Sequence, residues 1–389
     1  MPLFRPVPLK GQRRAKALLR GSGTCRYLRA FGAFRARARQ GACVIRLGII
    51  GSNFGRSVIL PAFRADPRCE VVALAGRDSA RAVTLAKESG IAESSGRWED
   101  LVANNAIDAV AIATPPEFQP GIAMRALQNG KAVFAEKPVA ADLNGAREFL
   151  AAAQASKKPV MIDFEFAEIA AWRKAKSLID AGAIGALRHV AVNWHVEGRA
   201  TQLRLKSWKT SGENGGGVLG NFVSHCFYYL EHFCGPIRDV SARTFGLSGE
   251  STPSESSVAL SGTFASGAPY MLSMSAASYA GSGHRVEFYG EDGALVLSNT
   301  TSDYMRGFKL HYAKRPTGLE PVTVDTGEED RYEDGRIAPV ARLASRFIDA
   351  IENGTIPTPG IKEGMRVQAL IETARRSNAN AGTTLTVES

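Results

Sequence analysis

The chain has 389 residues, enough for two domains with a core each, and its 44% hydrophobic and 22% charged residues are typical of a globular protein. Its formal net charge is +10, but residues 1–44 carry 11 of the 48 Lys and Arg and no Asp or Glu. The rest, with 37 basic and 38 acidic residues, is near neutral and gives no reason to expect a nucleic-acid or membrane partner. No apolar run approaches the length of about 18 residues that a membrane span needs.

The basic leader, residues 1–44, is rich in Arg, Ala and Gly, and three interpretations of it remain open. It could be a transit-like presequence, a basic arm for an anionic surface, or an upstream extension that is disordered or never translated. We favour the extension, with the true start near Val44. The twin arginine at Arg13 and Arg14 has no long apolar run after it, so we expect no export signal.

The cysteine and histidine spacings predict neither disulfides nor a metal site. The odd cysteine count, without a C-x-x-C pair, favours a reducing compartment, and we expect a cytoplasmic protein. The cysteines are Cys25, Cys43, Cys69, Cys226 and Cys234.

From Ile45 to about residue 165, short apolar runs alternate with amphipathic stretches. Five of these runs predict buried strands: VIRLGII, EVVALAG, DAVAIAT, KAVFAEK and PVMIDF. One stretch between them, SARAVTLAKESG, predicts a helix with Ser79 as its N-cap and Gly90 as its end. The alternation predicts an α/β Rossmann domain over residues 45–165, with a parallel sheet covered by helices.

Residues 166–389 show a different pattern. After one helix and the alternating strand ALRHVAVNWHVEG, a helix is predicted from about Val218 to Phe233. Strands then follow one another without long helices between them, which predicts an α+β domain with a large, mostly antiparallel open sheet. Two helices close the chain, and we expect that they could pack back on the first domain.

The stretch LGIIGSNFGRS, residues 47–57, follows the first strand and predicts a turn that holds a dinucleotide diphosphate. Gly51 provides the tight turn. Asn53 stands where the middle glycine is usual, and asparagine enters the left-handed region more readily than most residues. Gly55 comes one place early and leaves room for Phe54 to pack inward. A glycine turn of this kind is weak support by itself.

The end of the second strand bears on which cofactor is bound. NAD-selective sites commonly place a carboxylate there for the ribose hydroxyls, whereas an arginine can accept a 2′-phosphate. In LAGRDS, Gly76 stands at the strand end, with Arg77 and Asp78 after it. The displaced acid and the nearby cation favour NADP over NAD.

Several ordered motifs resemble the glucose-fructose oxidoreductase and inositol dehydrogenase (Gfo/Idh/MocA) family from Ile45 to the C-terminus. Thr114-Pro115-Pro116 follows one strand, and Glu136-Lys137-Pro138 ends the next. The stretches GGGVLGNFVSHCFYYLEHFCGP, EFYGEDGAL and FIDAIENGTIPTPGIKEGMRV also agree. The resemblance implies NAD(P)-dependent oxidation or reduction of a hydroxyl-bearing carbon on a sugar, cyclitol or related polyol. It also implies a homodimer or homotetramer that meets through the C-terminal sheets.

The resemblance also implies roles for single residues. Thr114, Pro115 and Glu136 are expected beside the cofactor, and Lys137 lies near both the nicotinamide and the reacting hydroxyl. Such a lysine can stabilise charge on the substrate oxygen. His225 is implied as the group that exchanges the proton, for which a histidine is suited.

Asn221, Gln119 and the stretch around Glu165 depart from the family pattern, and Trp208 is a further candidate for the site. Asn221 stands four residues before His225, where the family has aspartate, so it could orient the histidine but supplies no charge and should leave its pKa lower. Gln119 replaces a frequent histidine. Glu165, in DFEFAEIAAW, is either near the nicotinamide or substrate, or part of a structural ion pair. Trp208 could stack on a sugar ring or simply pack.

Three functions remain open from the sequence. The first is an NAD(P)-dependent dehydrogenase or reductase of polyols, with Lys137, His225 and Asn221 as its catalytic residues. The second is a dinucleotide-binding protein that has lost its chemistry, as Asn53 and Asn221 together suggest. The third is an enzyme that uses a tightly held cofactor on an activated sugar.

Overall fold

The computed structural model describes residues 44–212, 214–247, 254–327 and 329–388. All of the basic leader except Val44, with its twin arginine and with Cys25 and Cys43, lies outside these ranges. No helix within them is both long and apolar enough to cross a membrane.

Six parallel strands form the first sheet, in the order β3-β2-β1-β4-β5-β6 of a doubly wound dinucleotide-binding domain. They are β1 (Ile45–Ile50), β2 (Cys69–Ala75), β3 (Glu93–Ser95), β4 (Ala109–Ile112), β5 (Ala132–Ala135) and β6 (Val160–Ile162). The helices between them are α1 (Leu60–Arg64), α2 (Ser79–Glu88), α3 (Trp98–Ala103), α4 (Gln119–Gln128) and α5 (Leu143–Ser156). The five predicted strands are present. The short edge strand β3 was not predicted, because its sequence, ESS, has no apolar residue.

The predicted start of α2 is wrong by one residue. Asp78, not Ser79, is the N-cap, because its backbone is extended and its carboxylate accepts a hydrogen bond of 3.0 Å from the backbone N–H of Arg81. At the other end, Gly90 has a φ of +63° and stops the helix as predicted.

Nine strands form the second sheet, in the order β14-β13-β12-β11-β7-β10-β9-β8-β15. They are β7 (Leu187–His195), β8 (Ile237–Phe245), β9 (Ser257–Phe264), β10 (Pro269–Ser275), β11 (Gly283–Gly290), β12 (Gly293–Asn299), β13 (Lys309–Lys314), β14 (Glu320–Val322) and β15 (Leu385–Thr386). All neighbours are antiparallel except β7 and β10, which are parallel. The predicted, mostly antiparallel sheet is thus confirmed.

The remaining helices are α6 (Ala170–Asp180), α7 (Arg199–Gln202), α8 (Ser224–Cys234), α9 (Ile337–Asn353) and α10 (Ile361–Ala379). Helix α9 covers the first sheet, where the ring of Phe347 contacts Phe134 of β5 and Phe63 of α1 edge-on, with centroids 5.9 and 6.2 Å away. Helix α10 lies against β8. There the Ser377 hydroxyl oxygen accepts a hydrogen bond of 2.9 Å from the backbone N–H of Ala242.

Candidate active site

The carboxyl ends of four parallel strands meet at one edge of the first sheet. Ile50 pairs with Ile112, Ile112 with Ala135, and Ala135 with Ile162. The residues that follow these strands therefore line one edge, where doubly wound sheets bind their ligands. These residues are Gly51, Ala113, Glu136 and Asp163.

The turn after β1 depends on Gly51. Its φ is +117°, and a Cβ atom there would lie 2.3 Å from the carbonyl oxygen of Ala113, so only glycine fits. The left-handed backbone expected at Asn53 is absent, since Gly51 is the only residue of this turn with a positive φ. Asn53 instead accepts a hydrogen bond of 2.8 Å from the Arg81 guanidinium. The asparagine therefore ties the turn to α2.

Phe54 and Gly55 follow as the chain enters a π-helical turn, Gly55–Ile59. A Cβ atom at Gly55 would lie 2.7 Å from the Ile49 side chain, which explains the glycine by close packing. Phe54 is half-buried, as predicted, and the Arg336 guanidinium lies 5.3 Å from its ring centroid. Arg336 thus brings a cation from the second half of the chain to the turn.

Two polar atoms beside this edge are buried without hydrogen bonds. They are the Thr114 hydroxyl oxygen and Oε1 of Glu136, and they stand beside the unpaired carboxyl oxygens of Asp163 that are described below. Buried polar atoms are normally paired, so orphans at a ligand-binding edge indicate groups that a ligand satisfies. A hydroxyl donor and a carboxylate acceptor suit the ribose and amide groups of a nicotinamide cofactor. Pro115, half-buried after Thr114, lies at the same edge.

Lys137 connects the strand edge to the helix that carries His225. Its side chain is buried, and Nζ donates a hydrogen bond of 2.8 Å to the backbone carbonyl of Asn221. Burial lowers the pKa of Lys137, while the nearby carboxyl groups of Glu165, Glu136 and Asp163 act in the opposite direction. An ammonium has three protons, so Nζ can bind a substrate oxygen without leaving Asn221.

Three carboxyl groups surround Lys137: Glu136, Asp163 and Glu165. Burial raises the pKa of each, and that of Asp163 rises furthest because its carboxyl also faces the other two. Both Asp163 oxygens lack partners when ionised, whereas a protonated Asp163 can donate to Glu136. Within the described ranges, no group of three or more His, Cys, Asp and Glu side chains is arranged to hold a metal ion.

His225 of α8 lies beside Glu165 at this site. It is 5% exposed, and its Nδ1 lies 3.8 Å from Oε2 of Glu165, with neither atom hydrogen-bonded. The Phe166 ring contacts the imidazole edge-on, with the two ring centroids 4.8 Å apart. Burial, and then the charge of Lys137, lower the pKa of His225 well below its usual range. The imidazole is therefore neutral at pH 7, with Nε2 left to meet a substrate.

The predicted role of the Asn221 side chain is not seen. Among the described residues, no hydrogen bond joins its amide to His225, and its backbone carbonyl is the group that contacts Lys137. The physical reason is local: Asn221 lies in a π-helical turn, Leu219–Val223, whose wider turn alters the i, i+4 geometry of a regular helix. The carboxylate nearest His225 comes instead from Glu165.

Gln119 and Trp208 lie at the margin of the site. Gln119 is fully buried and donates a hydrogen bond of 2.8 Å to the carbonyl of Pro138, so it supports the segment that holds Lys137. Trp208 is half-buried, and its carbonyl lies against Gly216, where a Cβ atom would clash. The neighbouring Lys209, with Nζ 5.8 Å from the Trp208 ring, was not predicted.

Asp163 and Arg336 were also missed. Asp163 had a signal, because it follows β6 just as Glu136 follows β5. Arg336 had none, since a distance of 282 residues along the chain separates it from Phe54.

Comparison with known proteins finds a family match for each half of the chain. The description "Oxidoreductase family, NAD-binding Rossmann fold" matches residues 45–164, and "Oxidoreductase family, C-terminal alpha/beta domain" matches residues 176–387. An uncharacterized oxidoreductase of Synechocystis sp. is 31% identical over 348 residues, which are 86% of this chain and 94% of that protein. The 1,5-anhydro-D-fructose reductase of Ensifer adhaerens is 32% identical over 185 residues, 46% of this chain and 54% of that protein.

Among solved structures, levoglucosan dehydrogenase in complex with NADH and levoglucosan shares the fold. The TM-score is 0.79 at 20% identity, over 89% of this chain and 100% of that one. The two family matches together cover most of the sequence and both sheets. The chain therefore belongs to the Gfo/Idh/MocA family of oxidoreductases.

Proposed function

We propose that this oxidoreductase transfers hydride between NAD(P) and a hydroxyl-bearing carbon of a sugar, cyclitol or related polyol. The observation that carries the proposal is the convergence of Lys137, His225 and Glu165 at the edge where a Rossmann sheet binds its cofactor. The name of the Ensifer relative, a sugar reductase, supports the substrate class. We assign residues 45–165 to the cofactor and residues 166–389 to the substrate and to subunit contacts.

The residues at the strand edge fit the cofactor. Gly51, Asn53, Phe54 and Gly55 would hold the diphosphate. Thr114, Pro115 and Glu136 would meet the nicotinamide end, where two buried polar atoms await partners. When bound, NAD(P) supplies the hydride acceptor or donor.

The protein side chains then handle the oxygen and its proton. Lys137 donates to the substrate oxygen and stabilises negative charge that develops on it. His225 exchanges the hydroxyl proton through Nε2, because Nδ1 faces Glu165. Trp208 and Lys209, at the rim, would contact the rest of the substrate. Burial lowers the effective dielectric constant around these groups, which strengthens each of these electrostatic interactions.

A cofactor titration followed by a turnover screen tests this function. Binding of NAD(P) would be measured by fluorescence, and oxidation or reduction would then be assayed with polyols and nucleotide sugars. Turnover of a polyol supports the proposal. Cofactor binding without any turnover would instead indicate a binding protein, and turnover of nucleotide sugars alone would indicate chemistry on an activated sugar.

We expect a preference for NADP. The Asp78 carboxylate is used as the cap of α2, the exposed Arg77 precedes it, and the Arg81 guanidinium donates to Asn53 of the turn. Arg77→Ala should raise the KM for NADP about tenfold and leave that for NAD unchanged, because it removes one charged hydrogen bond. Arg97→Ala, an exposed arginine on a neighbouring loop, is the matched control. A tenfold preference of the wild type for NAD would contradict the expectation.

We also propose a homodimer or homotetramer through the open face of the second sheet. On that face Met271 is 61% exposed, and Tyr289 stacks on His189 with centroids 6.1 Å apart. Met271→Asp should shift the protein to monomers in light scattering, since it places a charge in an apolar contact. Val83→Asp, on the exposed side of α2, should not. An unchanged oligomer in Met271→Asp would exclude this face.

A further inference from the structure

The neighbourhood of His225 contains a carboxyl group that the family pattern does not place there. Glu165 follows β6 in a 3-10 turn, Glu165–Glu168, and its Oε2 lies 3.8 Å from Nδ1 of His225. Both side chains are buried, and both of these atoms lack a hydrogen-bond partner. The two atoms are thus about 1 Å beyond hydrogen-bond distance from each other. Such contacts commonly tighten when a substrate binds.

We propose that Glu165 is the carboxylate partner of His225 and that the two side chains take up and release one proton as a unit. This inference rests on the proposed function, and it explains how a chain with Asn221 retains a charged partner for its histidine. Glu165 acts through His225, so it is a positioning and proton-holding residue.

The two protonation states of the pair suit the two directions of reaction. With Glu165 ionised, a neutral His225 keeps its proton on Nδ1, towards the carboxylate, and presents the Nε2 lone pair to an alcohol. With one proton more, Glu165 is neutral and His225 carries its proton on Nε2, ready to donate to a carbonyl. Oxidation therefore needs the deprotonated pair, and reduction needs the protonated pair.

The atoms balance in each direction. In oxidation the C–H electron pair leaves as hydride to NAD(P)⁺, and the hydroxyl proton bonds to Nε2 as the O–H bond breaks. The proton on Nδ1 then passes to Oε2 of Glu165, and a C=O bond has formed. Reduction reverses each transfer.

The surroundings favour a proton on this pair near neutral pH. Burial, and then the Glu136 carboxylate, raise the pKa of Glu165 to about 8, and Lys137 opposes the shift. The low pKa of His225 makes Glu165 the member that holds the proton. The titratable and charged groups that face the pair are Glu136, Lys137, Asp163, Lys209, His284, Tyr304 and Arg336.

The first test is the pH dependence of wild type and Glu165→Gln. In the wild type, kcat/KM for oxidation should rise through a single step near pH 8, and for reduction it should fall through the same step. Glu165→Gln should oxidise about ten- to a hundredfold more slowly at pH 8, and its step near pH 8 should vanish, because His225 alone is already neutral. Retention of that step in Glu165→Gln would overturn the proposal.

Two further variants separate a carboxylate effect from damage to the fold. Glu165→Asp keeps a carboxyl group on the same turn, so it should retain a pH step and part of the rate. Glu168→Gln is the matched control, because Glu168 lies in the same turn but pairs with Arg346 at 2.7 Å. A Glu168→Gln profile that also lost the step would count against Glu165.

The second test does not depend on turnover. In protein labelled with ¹⁵N-histidine, His225, assigned with His225→Asn, should switch its proton between Nε2 and Nδ1 near pH 8 without forming the imidazolium. Glu165→Gln should abolish the switch, and an unchanged titration would refute the pairing. If no polyol were turned over, the proposed function would fail while this measurement still decided the pairing.

Discussion

Replacing Lys137 by Met should lower kcat/KM by about 10² to 10³ while cofactor binding persists. Lys137 lies two residues after β5 at the strand edge, and its ammonium is the one buried cation that the described residues place beside both Asn221 and Glu165. Removing a donor aimed at the reacting oxygen typically costs about 3–4 kcal/mol of transition-state stabilisation. Methionine keeps the length and the buried stem of the side chain. The measurements are steady-state kinetics and a cofactor titration of the same preparation.

Lys131 offers a matched control, because it is a second buried lysine at the opposite end of the same strand. Its Nζ donates to the carbonyl oxygens of Asn104 and Ile107, at 2.7 and 2.8 Å, far from the site edge. Lys131→Met should lower the melting temperature and leave turnover per folded molecule unchanged. If Lys137→Met kept near wild-type activity, the proposed mechanism would be wrong. If both variants lost activity equally, the loss in Lys137→Met would be explained by lower stability and not by a role in catalysis.

The first domain could be predicted closely because its signals are local. Each buried strand is an apolar run bounded by turn residues, and the residues just past the strand ends necessarily meet at one edge of a parallel sheet. That is why Gly51, Thr114 and Glu136 could be placed from motifs alone. Asp163 was available to the same reasoning, since it follows β6 directly, but the apolar run PVMIDF predicts it to be part of the strand.

The chemistry around His225 could not be predicted in the same way. The spacing of Asn221 and His225 is local, but its interpretation assumed a regular helix, and the π-helical turn was not visible in the sequence. The approach of Glu165 to His225 depends on how the turn after β6 packs against α8, a contact between segments 60 residues apart. Arg336 reaches Phe54 from the start of α9 for the same kind of reason. Tertiary packing, which no local pattern encodes, therefore brings together the residues to which we assign the proton transfer.

His225→Asn should reduce oxidation at pH 8 by about 10² to 10⁴, the usual contribution of a positioned acid or base. Asparagine keeps a polar side chain of similar reach but cannot accept a proton, so a role in packing would be largely preserved. Because the pKa of His225 is low, its imidazole carries no positive charge at neutral pH. Its contribution to the rate must therefore come from accepting the substrate proton. The loss should appear in kcat more than in KM, because the proton moves only as the oxygen reacts.

His232 is the control for that experiment. It lies two turns further along α8, outside the site, and is half-buried. Burial lowers its pKa to about 4. Its ring stacks on Tyr228, with the ring centroids 5.8 Å apart. His232→Asn should therefore change stability and leave the pH profile of turnover in place. If His225→Asn kept more than a tenth of the wild-type kcat, Nε2 would not be the proton acceptor. Lys137, whose pKa burial already lowers and whose Nζ is proposed to contact the substrate oxygen, would then be the next candidate for that proton exchange.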